Sequence, residues 1–520
     1  MNWEVEHALE YHERTKHSYV SVRTGRHFLD WRNKPYPFKV YLKLPKVTLP
    51  REFPRPSADA LNSLTQKSRH EPAMDLGRVA EVLFFSAGIT RRITFPGEVF
   101  YFRAAPATGA LYETELYLVA WGVKDLEPGV YHFDPGEFVL TKLRSGVYRS
   151  YVADAVHEDV KHHECVVVFS SIAWRNAWKY EARSYRHWFW DGGVIAANML
   201  AVASAEEIEA TLYMGFVDGA LNKLIGVDGR REAVIAVVAL GHARSPDEGE
   251  GRVDDIHPEV MPLSRKEVEY PEVYGIHAAS SLESGEELRR WRARCCEAAG
   301  GKAGRGEERF QTVRLSRPAA GSHPLYKVIL KRGSTRRFSH QPITENQLST
   351  ILDRAFTSIP ADFLKAVNAY VEAYLIVNSV DGLESGAYYY DAPSHSLRVL
   401  KRGEFRRVAG YLCLEQELAA DASVVFFLMS DLGSVLRRCG NRGYRICQFE
   451  AGVRAGRIYL SAYALGLGAT GLTFYDDDVT QFFQPHAGDK SNMLVVAVGV
   501  PAYKSKSGRV IVGEVKHPVG

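Results

Sequence analysis

Apolar residues in this chain gather in short runs closed by turn-forming residues, and the runs fall into two similar groups. Residues 115–121, 165–170 and 233–240 make one group; 371–378, 423–430 and 493–500 make the other. Short apolar stretches bounded by turns are the signature of buried strands. Between 166 and 234 the pattern predicts a long helix that includes Asp191-Gly192-Gly193-Val194-Ile195-Ala196-Ala197. Its small residues would let two helices approach closely. Further helices are predicted over 283–299, 345–356 and 450–467. Helices and strands segregate without regular βαβ alternation, so the expected class is α+β.

The two groups belong to a long internal repeat. Tyr117-Leu118-Val119 through Asp134 aligns without a gap to Tyr374-Leu375-Ile376 through Asp391, with Tyr117/Tyr374, Leu126/Leu383, Gly129/Gly386, Tyr131/Tyr388 and Asp134/Asp391 identical. Arg183-Ser184-Tyr185-Arg186 recurs as Arg442-Gly443-Tyr444-Arg445, each followed at the same distance by a glycine, Gly193 or Gly452. A repeat of this length points to a duplicated domain, not a solenoid unit. The expected organisation is an arm over 1–75, rich in proline and aromatic residues, and a first domain over 76–245. A linker over 246–320 with one helix and a second domain over 321–520 complete it. Ser245 to Gly251 and Ala298 to Glu308 are charge- and glycine-rich, as solvated linkers are.

Composition narrows the picture little. Across 520 residues, 46% hydrophobic and 24% charged content are those of a globular enzyme. A net charge of +3 gives no case for nucleic acid or a membrane surface as partner. No apolar stretch is long enough for a membrane span, and the first 16 residues lack the apolar core of a secretory signal, so the expected location is the cytoplasm. The six cysteines form no Cys-x-x-Cys pair and are expected to be reduced, buried thiols.

Three segments carry candidate chemistry. Arg332-Gly333-Ser334-Thr335-Arg336 sets two guanidinium groups and a hydroxyl within five residues, a good phosphate cradle or a solvated turn. Gly466-Leu467-Gly468-Ala469-Thr470-Gly471 follows an apolar helix and runs into Leu472-Thr473-Phe474-Tyr475-Asp476. It reads either as exposed backbone for a flat ligand or as a helix C-cap and turn. The first half has Glu207, Glu209 and Leu212 at those glycine positions. Arg103 to Leu111, with Pro106-Ala107-Thr108-Gly109, is a loop that exists only in the first half. Cradle and loop each occur once, in opposite halves.

Together these segments resemble the nitroreductase superfamily of FMN enzymes, and most closely its SagB/ThcOx-type dehydrogenase branch. The branch includes enzymes that oxidise azoline rings in peptides. The resemblance covers about 76–245 and 325–510. It implies two nitroreductase-like domains, each a mainly antiparallel sheet with flanking helices, packed as an intramolecular pseudo-dimer. It also implies one FMN between the halves. Arg332, Gly333, Ser334 and Arg336 would hold the phosphate and ribityl end, with charge added by Lys504 and Lys506. Backbone at Gly471, Leu472, Thr473 and Phe474 would face the flavin edge. Pro106, Ala107, Thr108 and Gly109 would cover the ring, Ala107 standing where the family's loop carries Ser. Lys179-Tyr180 matches a Lys-Tyr pair of the azoline-oxidising relatives and would move a proton while flavin takes hydride. The implied function is an FMN-dependent oxidoreductase acting on a small molecule or a peptide, with NAD(P)H a candidate electron donor and no metal. Alternatives are an azoline peptide dehydrogenase, an enzyme acting on flavin itself, and an inactive flavin-binding scaffold.

Overall fold

The computed structural model describes residues 2–65, 72–96, 98–243, 249, 251–297, 310–365, 367 and 369–518. Most of the two linker stretches, 244–248 with 250 and 298–309, lies outside these residues. Each half builds one antiparallel sheet of seven strands. The first runs, edge to edge, Lys46–Thr48, Val139–Ser145, Gly129–Asp134, Thr114–Ala120, Cys165–Ile172, Glu232–Leu240, Ala210–Tyr213. The second runs Thr312–Arg314, Ser396–Arg402, Gly386–Asp391, Glu372–Val377, Val424–Ser430, Ser491–Gly499, Gly468–Leu472. The fold is therefore α+β in two halves of one strand order.

The identical residue pairs mark shared local geometry. The register slips between Val130 and Tyr131 and, at the corresponding place, between Ala387 and Tyr388. A Cβ at Gly129 or Gly386 would collide with the carbonyl of Arg144 or Lys401 on the next strand, so only glycine fits beside the bulge. Tyr131 and Tyr388 then donate their hydroxyls to the carbonyls of Glu127 and Glu384, at 2.6 Å in both halves.

Two buried helices, Ser184–Ala205 and Arg442–Ala464, pack against each other and join the halves. They meet through glycine. A Cβ on Gly193 would sit 2.8 Å from the Cα of Gly452, and a Cβ on Gly456 would sit 2.5 Å from the Cβ of Ala197. The repeated glycine after Tyr-Arg is thus a helix-crossing residue.

The arm is more structured than proline content suggests. It carries the helices Glu6–Arg14 and Tyr19–Thr24 and supplies the edge strand Lys46–Thr48 to the first sheet. The predicted helix over 345–356 is Glu345–Phe356, while that over 450–467 begins earlier, as Arg442–Ala464. The helix expected over 283–299 is Gly285–Arg292 followed by a π-turn to Glu297. The glycine stretch after the second central helix departs from a simple turn. Gly466 caps the helix with φ +78°, and Gly468–Leu472 then becomes the edge strand.

The expectation of reduced thiols throughout is corrected as well. Cys295 and Cys439 form a disulfide, and the other four cysteines are buried outside it. The partners are 144 residues apart in sequence and no spacing motif links them. No helix among the described residues is long and apolar enough to cross a membrane.

Candidate functional site

The site begins with what holds the halves in register. Arg442 and Arg445 reach from the second half to Asp218 of the first, at 2.7 and 2.6 Å. Arg183 and Arg186 reach the other way to Asp476, at 3.0 and 2.7 Å. All six groups are buried. Burial by itself would raise the Asp218 carboxyl, but the two guanidinium groups outweigh it and bring the group down to about 2. Asp476 is likewise held well below the ordinary carboxylate range against the cost of burial. The repeated Arg-x-Tyr-Arg motif is therefore a reciprocal clamp across the interface.

Between the halves lies a cavity of about 670 Å³. Pro106, Ala107, Thr108 and Gly109 of the first half form one wall. Arg332, Gly333, Ser334 and Arg336 of the second form another. The cradle segment is anchored by Thr335, whose N–H donates to the Ala469 carbonyl at 2.9 Å. A Cβ at Gly468 would strike the Thr335 hydroxyl, so this glycine is needed to seat the segment. Glu209 fills that position in the first half, which has no such segment. Gly471, Leu472 and Thr473 form the floor, where a Cβ on Gly471 would meet only ordinary contacts.

The cradle carries uncompensated positive charge. Arg332 is buried and donates to the carbonyls of Ala104 and Arg103, both at 2.9 Å, so it bridges the halves, and among the described residues it has no carboxylate partner. Burial lowers its pKa. Arg336 is exposed, and among the described residues its guanidinium has no ion pair; its backbone N–H donates to Tyr503 at 3.0 Å. Among the described residues the buried Thr473 hydroxyl has no hydrogen-bond partner. A cavity with unopposed arginines and an orphaned hydroxyl fits an anionic ligand with a polar edge, as FMN is.

Lys179 and Tyr180 open onto this same cavity from the C-terminal end of the helix Ala173–Tyr180. The Lys179 ammonium lies 5.2 Å from the Tyr180 ring centroid. Burial, and secondarily the Arg336 charge, lower the Lys179 pKa. Burial raises that of Tyr180, and Asp191 and Glu113 add to the effect. His187 packs edge-on against Tyr180 at 4.6 Å and is kept neutral by burial.

The corresponding place in the other orientation is filled by the chain. Met214 and Gly215 follow the strand Ala210–Tyr213 as Thr473 and Phe474 follow Gly468–Leu472. Their N–H groups donate to Asp362, at 2.9 and 3.0 Å. Trp291, fully buried, packs so closely that a Cβ on Gly215 would lie 2.5 Å from its ring. Arg292 donates to the Gly215 carbonyl at 2.8 Å.

Of the residues named from sequence, Phe474, Lys504 and Lys506 do not line the cavity. Phe474 is buried beneath the floor, 6.3 Å from Trp190 between ring centroids. Lys504 and Lys506 are exposed, and Lys506 contributes its carbonyl as acceptor for Arg91. Arg91, Tyr112, Asp191, Tyr459 and Tyr463 line the cavity and were not singled out from sequence. Tyr459 and Tyr463 are one helical turn apart, a spacing that could have paired them. Arg91 sits on the hairpin strand Ile89–Phe95 and belongs to no chemical motif.

Comparison with known proteins agrees with this geometry. Residues 329–500 match the model of the nitroreductase family. A protein named "Putative nitroreductase MJ1384", from Methanocaldococcus jannaschii, is 29% identical over 182 residues, spanning 33% of this chain and 90% of its own. The crystal structure of "a putative nitroreductase" from Anabaena variabilis superposes with a TM-score of 0.76 at 27% identity, over 95% of this chain and 99% of that one. Residues 329–500 thus resemble the nitroreductase family, and the chain as a whole is similar in fold to the Anabaena protein.

Proposed function

We propose that this protein is an FMN-dependent oxidoreductase of the SagB/ThcOx-type branch, a tandem duplication fused into a pseudo-dimer that binds one FMN between its halves. The observation that carries the reading is that the once-only segments of the two halves line one cavity, while its counterpart is occupied by Asp362 and Trp291. Arg332, Ser334 and Arg336 would hold the phosphate, with Arg91 at the same wall. The Thr473 hydroxyl and the backbone at Gly471 and Leu472 would meet the polar edge of the ring. Bound FMN supplies two-electron hydride chemistry; the chain supplies orientation, water exclusion and proton movement. Lys179, with its lowered pKa, and Tyr180 would hold and move that proton at the amine and the phenol.

The Lys179-Tyr180 pair favours one substrate class, an azoline ring in a peptide, whose oxidation removes a hydride and a proton from adjacent atoms. Purified protein should be yellow, release FMN on denaturation, and be reduced anaerobically by NADH or NADPH if either is its donor. A colourless protein that takes up no added FMN would leave only a scaffold.

A further inference from the structure

Behind the loop Pro106-Ala107-Thr108-Gly109 lies a pair of carboxyl groups with no cation between them. Asp191 lines the cavity, and both of its oxygens are engaged by one residue. Oδ2 accepts the Thr108 N–H at 2.7 Å, and Oδ1 accepts the Thr108 hydroxyl at 2.8 Å. Glu113 is in contact with Asp191 and is completely buried. The Glu113 oxygens are buried without a hydrogen bond of good geometry, although its own backbone N–H and the Asn176 amide lie near enough to favour a charge there.

These facts divide the charge. Two adjacent carboxyl groups out of water cannot both be ionised at modest cost, because each disfavours the charge of the other. Asp191 is committed as an acceptor at both oxygens, which suits a carboxylate. The donors near Glu113, its own N–H and the Asn176 amide, are outweighed by burial and the Asp191 charge, and a proton on Glu113 would have Asp191 as acceptor. We infer that Glu113 and Asp191 hold a single proton between them, with Glu113 neutral, and that ionised Asp191 is the latch fixing Thr108 and the loop over the cavity. Both are positioning residues.

Burial, then the Asp191 charge, pushes Glu113 far above the ordinary carboxyl range. Burial also raises Asp191, to about 6, against the bonds from Thr108 and Glu113. The other titratable groups lining the cavity are His187 on the same helix, Arg91, Tyr112, Lys179 and Tyr180, with Arg332, Arg336, Tyr459, Tyr463 and Tyr503 from the second half. The cations favour charge on Asp191; none forms an ion pair with Glu113 among the described residues. Because the folded chain keeps a proton on Glu113 that the unfolded chain has released, stability should fall as pH rises above about 4.3, the ordinary value for Glu.

The inference rests on the flavin reading only in saying what the loop covers. Infrared difference spectra of the full chain at neutral pH should show a protonated-carboxyl C=O band in the wild type that is lost in Glu113→Gln. The fall of stability with pH should flatten by one proton in the same variant. Asp191→Asn should weaken FMN roughly tenfold, one charged hydrogen bond, while Glu113→Gln, still neutral, should stay within about twofold. Matching infrared spectra for wild type and Glu113→Gln would overturn the shared proton whether or not flavin is bound. Equal loss of FMN in both variants would overturn the latch. If no FMN binds at all, the flavin reading fails, and the band and the pH slope still decide the proton.

Discussion

Asp362 accepts the backbone N–H of Gly215 at 3.0 Å across the domain interface, with the neighbouring Met214 N–H on its second oxygen. A side chain of the second half thus occupies the polar edge where, on the opposite side, Thr473 keeps a hydroxyl without a partner among the described residues. One polar edge is closed by the protein and the other is left for a ligand.

Asp362→Ala should leave two buried N–H groups unpaired and cost about 1–3 kcal/mol of stability in chemical denaturation. Trp291 still fills the space, so flavin content should not rise.

Arg332 and Arg336 should separate in their effects. Arg336→Ala removes a charge-assisted contact with FMN and should weaken binding by roughly tenfold or more, with stability unchanged. Arg332→Ala should weaken FMN comparably and also lower the melting temperature, because the carbonyls of Arg103 and Ala104 lose their donor. Unchanged FMN affinity in the double variant, read by fluorescence titration, would remove the phosphate role.

Lys179→Met with Tyr180→Phe should leave FMN bound and the fold intact while slowing substrate oxidation by roughly 10²–10⁴, the range for losing a general acid–base. Single-turnover flavin reduction by substrate reads this directly. A rate within about twofold of wild type would remove the proton-transfer role.

The interface clamp predicts an acid limit. Asp218 is held at about 2, below the unfolded value of about 3.9, so its contribution is present above that value. It is lost as pH falls through the folded one, amounting to about 2–3 kcal/mol. Asp218→Asn strands Arg442 and Arg445 without a counter-charge and should cost about 3–5 kcal/mol at neutral pH. Stability measured against pH should then lack the wild type's acid step.

Much of the architecture was legible in the sequence because buried strands of both halves carry the same apolar runs and the same bulge glycines. Segments 114–120 and 372–377 were found within a residue or so. The short edge strands Ala210–Tyr213 and Gly468–Leu472 were not, since glycine and charge mask a strand whose partner is distant in sequence. The cradle, loop and Lys-Tyr segments were visible as segments present in one half alone, and folding brings them to one cavity. Asp218, Asp362 and Glu113 were invisible, because each matters through a partner that only folding supplies. The same holds for Trp291 and for the Cys295–Cys439 disulfide.

The most direct test is the ratio of released flavin to protein in the purified full chain after reconstitution with excess FMN. One open cavity and one counterpart filled by Asp362 and Trp291 predict a ratio close to one. A ratio near two would mean that the filled side opens to ligand, and a ratio near zero would contradict a flavin site between the halves.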